Sequence, residues 1–212
     1  MRYYISDLHF FHEKLLRRMD CRGFGSLQEM HDYMIQKWNA KVRKKDEVVI
    51  LGDFSLGKAG ETIEILQELK GKKFMIEGNH DWFLKEKDFD SSLFEWVKSY
   101  REIHDNKRKI VLSHFPIMCY NGQYRRDSKG NATSFMLYGH VHNTYDELLI
   151  NDYIYRTRKQ KREIFGQEEP VSIPCQMINC FCMFSDYEPL SLEEWIEVDR
   201  KRREALWSGE SS

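Results

Sequence analysis

No apolar run in this 212-residue chain approaches the roughly 18 residues that a membrane-spanning helix needs, so no segment is expected to cross a bilayer. An excess of one charge is also missing. Lys and Arg number 33 against 34 Asp and Glu, and a net charge of −1 gives no general attraction to nucleic acid or to an anionic membrane. Any anion must therefore be recognised by a local site. The five cysteines are odd in number and unevenly spaced, and the opening Met1-Arg2-Tyr3-Tyr4-Ile5-Ser6-Asp7 meets charge at once. That combination leads us to expect no signal peptide, reduced thiols and a cytosolic compartment. Proline and glycine form no cluster that would mark a linker, and no repeat is visible, so one domain over 1–212 is expected. What is present is ordinary globular composition, 41% hydrophobic and 32% charged, in a chain long enough to bury a core.

Short apolar runs of strand length recur at 3–5, 47–51, 73–76, 109–113 and 135–138. Between the first two, Ser26 and Glu29 form a capping-box pair, and Leu27, Met30, Met34 and Trp38 follow at helical spacing. A second helix is expected at about 61–70, with Ile63, Leu66 and Leu69 inward and Gly71 as its stop, and a third at 91–99. Strands alternating with helices imply right-handed crossovers and a partly parallel sheet. A hairpin around Asp105-Asn106 makes the sheet mixed. The polar stretches 119–134 and 151–174 read as long loops or insertions. A closing strand at 177–184 and a terminal helix capped by Ser191 and Glu194 complete the pass.

Residues able to hold a metal gather where strands end: Asp7-Leu8-His9, Gly52-Asp53, Gly78-Asn79-His80-Asp81, Ser113-His114 and Gly139-His140-Val141-His142. In an open α/β sheet the crevice beyond the strands' carboxyl ends is where ligands bind, so five segments can converge there. Extended backbone would send Asp7 with His9, and His140 with His142, to common sides. Carboxylate, imidazole and amide oxygen together suit Mn, Fe or Zn. An isolated strand-end His is usually structural, but five of the eight histidines stand at such ends, which argues for a shared site.

The ordered series Asp-x-His, Gly-Asp, Gly-Asn-His-Asp, His, Gly-His-x-His resembles that of the calcineurin-like metallophosphoesterases over residues 1–142, with a closing strand near Asn179. The resemblance implies a four-layer α/β/β/α sandwich with mixed sheets and a centre of two divalent cations, Mn²⁺ foremost and Fe or Zn as alternatives. Carried over by position, it makes Asp7, His9 and His142 ligands of one cation and Asn79, His114 and His140 ligands of the other. Asp53 then bridges the two. It implies that hydroxide shared by the metals attacks phosphorus while His80 protonates the leaving group, with Asp81 orienting His80. Phe54-Ser55-Leu56-Gly57 after Gly-Asp, and Glu77 before Gly-Asn-His, depart from the protein Ser/Thr phosphatases. His80 departs from the lipid-A-pathway pyrophosphatases. What remains is similar to the small bacterial and phage phosphoesterases. A phosphodiester or nucleotide-like small molecule is the expected substrate; a phosphomonoester, or a non-catalytic scaffold, is the alternative.

His12 is either a helix-start residue or a substrate contact. The 119–134 loop, with Asn121, Arg125 and Arg126, is either a solvated loop or a phosphate grip reaching over the metals. The basic run 156–162 reads as a solvated face, which leaves nucleic acid disfavoured as a partner. His31 and His104 are expected to be structural. Cys175, Cys180 and Cys182 are expected to be buried thiols, the last two on one strand face. The oligomeric state is left open.

Overall fold

The computed structural model describes residues 1–163 and 168–208. Its strands are β1 (Arg2–Ile5), β2 (Glu47–Leu51), β3 (Lys72–Ile76), β4 (Val97–Lys98), β5 (Tyr100–Asp105), β6 (Arg108–Ser113), β7 (Ser134–Tyr138), β8 (Lys161–Arg162), β9 (Val171–Ser172) and β10 (Met177–Asn179). The helices are α1 (Lys14–Arg17), α2 (Leu27–Lys41), α3 (Ala59–Glu68), α4 (Tyr145–Lys159) and α5 (Leu192–Ser208). One sheet runs β1-β2-β3-β4, all parallel. The other runs β10-β7-β6-β5, parallel except for the β5–β6 hairpin expected at Asp105-Asn106.

Strand periodicity sorts the side chains into layers. Tyr3, Ile5, Val48 and Ile50 face Met30, Met34, Trp38, Ile65 and Leu66 of α2 and α3. Their neighbours Tyr4, Val49 and Leu51 turn the other way and meet Ile110, Leu112, Phe135 and Leu137 between the sheets. Val111, Met136 and Tyr138 then bury against Ile150 and Ile154 of α4. The order helix, sheet, sheet, helix is the expected α/β/β/α sandwich. Ser6 joins its two halves, donating to the Cys180 carbonyl and accepting from Cys182 N–H, while Trp195 of α5 donates to the Tyr4 carbonyl at that seam.

Several local expectations need correction. Residues 91–99 hold only a 3₁₀ turn (Ser91–Leu93) and then β4, because the free edge of β3 takes up the backbone: Glu95 N–H donates to Lys73, and the Trp96 and Lys98 carbonyls accept from Met75 and Glu77. Tertiary pairing overrides helical propensity there. The stretch 151–174 is not one loop. Its first third continues α4, capped by Thr144 and seated through Ile150 and Ile154, and β8 and β9 pair beyond it; residues 164–167 lie outside the described residues. The closing strand stops at Asn179 and turns into a 3₁₀ segment (Cys182–Ser185), so Cys180 buries between the sheets and Cys182 beneath α2 rather than on one face. Among the described residues no helix is long and apolar enough to cross a membrane.

Candidate metal centre

The carboxyl ends of β1, β2, β3, β6 and β7 do converge. Asp7, His9 and His142 bring one ligating atom each within 4.8 Å of one another, and so do Asp53, His114 and His140. His9 Nε2 and His142 Nε2 stand 3.0 Å apart, and Asn79 Oδ1 lies 3.0 Å from His114 Nε2 and 2.9 Å from His140 Nδ1. Asp53 Oδ2 is 3.5 Å from both His9 Nε2 and His114 Nε2, so it faces both clusters. Asp7, His9, Asp53, His114 and His142 are buried, whereas Asn79 is exposed and His140 half-buried.

The convergence of paired residues is not the strand pleat anticipated from their spacing. Asp7 and His9 (φ 56° and 51°), Asp53 (51°), and His140 and His142 (71° and 46°) all lie in the left-handed region just past the strand ends. Each such residue costs about 1–3 kcal/mol and persists only where the surroundings over-determine it. Gly52 and Gly139 give those turns their clearance. A Cβ on Gly52 would lie 2.3 Å from His114 Nδ1, and one on Gly139 would lie 2.5 Å from Asp7 Oδ2.

Buried charge sets the electrostatics. Burial opposes ionisation of Asp7, but the hydrogen bond and charge of His142 hold its carboxyl below the usual range. Burial likewise pulls His142 down, yet its bonds to Asp20 and Asp7 lift it to about 9. His114 follows the same logic: burial lowers it, and the Asp53 hydrogen bond with the charges of Asp7 and Asp53 raises it to about 9. Burial leaves His9 neutral, at about 3. His142 and His114 must therefore shed a proton before either can donate its lone pair to a cation.

Asp81 does not orient His80. Its Oδ2 accepts from the N–H groups of Asp53 (2.8 Å) and Gly78 (2.7 Å), and its Oδ1 from Phe54 (2.7 Å), so both oxygens serve to clasp the ends of β2 and β3. Burial first, and then the charge of Asp53, push its carboxyl up to about 7. His80 instead anchors through its backbone N–H on Asp53 Oδ1 (2.8 Å), with its half-buried ring 5.5 Å from that of His9. His12 joins them, its ring centroid 5.2 Å from His9 and 6.2 Å from His80, and its buried Nδ1 has no hydrogen-bond partner among the described residues.

Asn121, Arg125 and Arg126 do not reach the two clusters. β6 and β7 are parallel, so the 119–134 segment must travel back to the start of β7, away from Gly139. There the Asn121 carbonyl accepts from Ser134 Oγ while its amide donates to Glu102. Arg125 lies beside Gly122, next to Ser134, and Arg126 is tied to Gly130 and Ser172. His31 is structural, its Nε2 accepting from Phe11 N–H, and His104 is exposed on β5.

Three residues that sequence reasoning passed over do belong here. Asp20 Oδ1 meets His142 Nδ1 at 2.7 Å, and Arg22 donates to the carbonyls of Leu8 (2.6 Å) and Asp7 (2.8 Å). Phe115, 48% exposed, sets its ring 4.4 Å from that of His140. No period or motif flags Asp20 and Arg22; adjacency to His114 could have flagged Phe115.

Comparison with known proteins agrees with this architecture. The chain is 28% identical over 201 residues to an uncharacterised protein of Methanocaldococcus jannaschii, covering 94% of this chain and 91% of that one. It is also 28% identical over 178 residues to the gene 66 protein of Mycobacterium phage L5, covering 73% and 82%. A crystal structure of an Aquifex aeolicus protein of unknown function shares the fold, with a TM-score of 0.60, 24% identity and coverage of 93% and 98%. The sequence model of the calcineurin-like phosphoesterases matches residues 3–197. Since that match runs from β1 into the first turns of α5, the chain belongs to the calcineurin-like phosphoesterase family.

Proposed function

We propose that the chain hydrolyses a phosphodiester or nucleotide-like small molecule with two divalent cations. Asp7, His9 and His142 hold one, Asn79, His114 and His140 hold the other, and Asp53 lies between them. Membership of the family implies metal-dependent phosphoester hydrolysis in general. The observation that carries the specific reading is the single oxygen of Asp53 placed 3.5 Å from an imidazole nitrogen of each cluster.

The donors fit such cations. Two Nε2 atoms face each other at 3.0 Å, and an amide oxygen faces two imidazoles, an arrangement suited to ligands around an ion. Carboxylate, imidazole and amide oxygen match Mn²⁺, Fe²⁺ or Zn²⁺. When bound, the pair would clamp phosphoryl oxygens, offset developing charge and make water nucleophilic at neutral pH. His80, held by its backbone to Asp53, presents its imidazole N–H to the leaving oxygen and gives it a proton as the P–O bond breaks. His12 stands beside it as a contact for the same end of the substrate. Phe115 supports the nucleotide-like reading, because an exposed ring beside His140 offers a base a face to stack on.

The test is metal-stripped protein with Mn²⁺ added back, assayed on bis-p-nitrophenyl phosphate and p-nitrophenyl phosphate, with bound metal counted by elemental analysis after dialysis. We expect turnover to return with two ions per chain and the diester to be preferred. Preference for the monoester would reassign the substrate class, and silence on both esters with two ions bound would sink the enzyme reading. Phe115→Ala should raise KM for nucleotide-like diesters about tenfold, within the ~1–3 kcal/mol attached to stacking one base, and leave KM for a methyl phosphodiester unchanged. An equal effect on both would remove the stacking role.

A further inference from the structure

We propose that Asp20 and Arg22 are positioning residues of the metal centre, a buried clip that fixes His142 as a ligand and ties its own segment to the backbone presenting Asp7 and His9. The inference rests on the two-cation reading above.

The clip is a continuous set of bonds. Asp20 Oδ1 lies 2.7 Å from His142 Nδ1, a distance typical of a charge-assisted bond. Its Oδ2 accepts from Arg22 Nε at 3.1 Å and Nη2 at 3.0 Å. Arg22 Nη1 and Nη2 also donate to the carbonyls of Leu8 and Asp7. The Asp20 and Arg22 side chains are 3% and 0% exposed. Burying an ion pair this deeply is costly and is often no better than an apolar substitute, so stability alone is a weak reason for it. The chain also strains itself to build it: Met19 and Cys21, on either side of Asp20, adopt φ of 51° and 49°. That backbone brings both Asp20 and Arg22 inward.

The clip decides which nitrogen of His142 is free. In the neutral ring that a cation would meet, a carboxylate at Nδ1 holds the proton there and leaves the lone pair on Nε2, turned toward His9 Nε2 (3.0 Å) and Asp7 Oδ1 (3.5 Å). The ring cannot swing away, since it stacks on Phe181 at 4.6 Å and the His142 carbonyl accepts from Asn179. His114 is backed differently, its Nδ1 meeting the Leu51 carbonyl at 2.8 Å. The carboxylate-backed imidazole is the more basic donor, so Asp20 acts on the cluster of Asp7, His9 and His142 and not on the other.

The experiment titrates Mn²⁺ into metal-stripped wild type, Asp20→Asn and Asp20→Ala, and reads the tautomer of His142 in the Zn²⁺-loaded proteins by long-range ¹⁵N–¹H correlation. One of the two ions should bind about 10–100-fold more weakly in both variants, the range typical of lost outer-sphere partners, while the other is unaffected. The Nδ1-protonated signature of His142 should be lost in Asp20→Ala. A merely structural ion pair would lower the melting temperature and leave both readings unchanged. Asp20→Asn, nearly isosteric, serves should the alanine variant not fold. Two ions bound as tightly by the variants as by wild type, with the tautomer kept, would overturn the inference alone. A wild type that takes up no ions would remove the two-cation reading and this inference with it.

Discussion

Exchanging Asp53 for Asn should lower phosphoester turnover by at least about a hundredfold, the loss that follows removal of one preorganised electrostatic contact, and reduce bound metal below two ions per chain. The charge lost is the one that both clusters share, since Asp53 Oδ2 faces His9 and His114 at equal distance. The other carboxylate oxygen accepts from His80 N–H, so the substitution also loosens the loop that carries Asn79 and His80. Asn tolerates the left-handed backbone of this position (φ 51°), and the Asp53 N–H bond to Asp81 does not involve the altered side chain. The variant should therefore fold, which a thermal melt of the metal-stripped protein would check. Dialysis with elemental analysis then reads the metal directly, and two ions retained at wild-type affinity would show that Asp53 does not bridge.

The second large effect is expected from His80→Ala, and it should depend on the leaving group. Proton donation by a positioned side chain is worth about 10²–10⁴ in rate, and that is the loss expected on a diester with an alkyl or nucleoside leaving group. With p-nitrophenolate, which leaves without help, the loss should be far smaller. The ring suits proton donation because, among the described residues, its nitrogens make no hydrogen bond, while its backbone is pinned to Asp53. Metal content should stay at two, because His80 belongs to neither cluster. Equal losses on both leaving groups would point to substrate positioning rather than proton transfer.

How far the sequence could be read depended on what kind of force placed each residue. The runs that became β1, β2, β3, β6 and β7 were legible because they are buried on both faces and so read as short apolar runs, and α2 because Met30, Met34 and Trp38 repeat at its own period. The candidate donors were legible because each lies within a few residues of the end of one of those runs. The geometry behind them was not: the left-handed turns at Asp7, His9, His140 and His142 are imposed by the neighbours they meet, and spacing alone suggested a pleat. β4 was hidden because its pairing is decided by β3, far away in sequence. Asp20 and Arg22 left no trace for the same reason, since their partners lie in Leu8, Asp7 and His142. Asn121, Arg125 and Arg126 misled because a loop tied to the site at one end was expected to stay near it, while a parallel connection has to leave.

The seam at Ser6 has a consequence for the order in which the molecule assembles. Each cluster borrows from both sheets: Asp7 and His9 follow β1 while His142 follows β7, and Asp53 follows β2 while His114 and His140 follow β6 and β7. Neither sheet by itself presents a complete donor set, and contacts between such distant segments form late because loop closure comes first. On the two-cation reading, ion capture would belong to the last stage of folding, and a nascent or proteolysed chain holding only one sheet would hold no tightly bound ion.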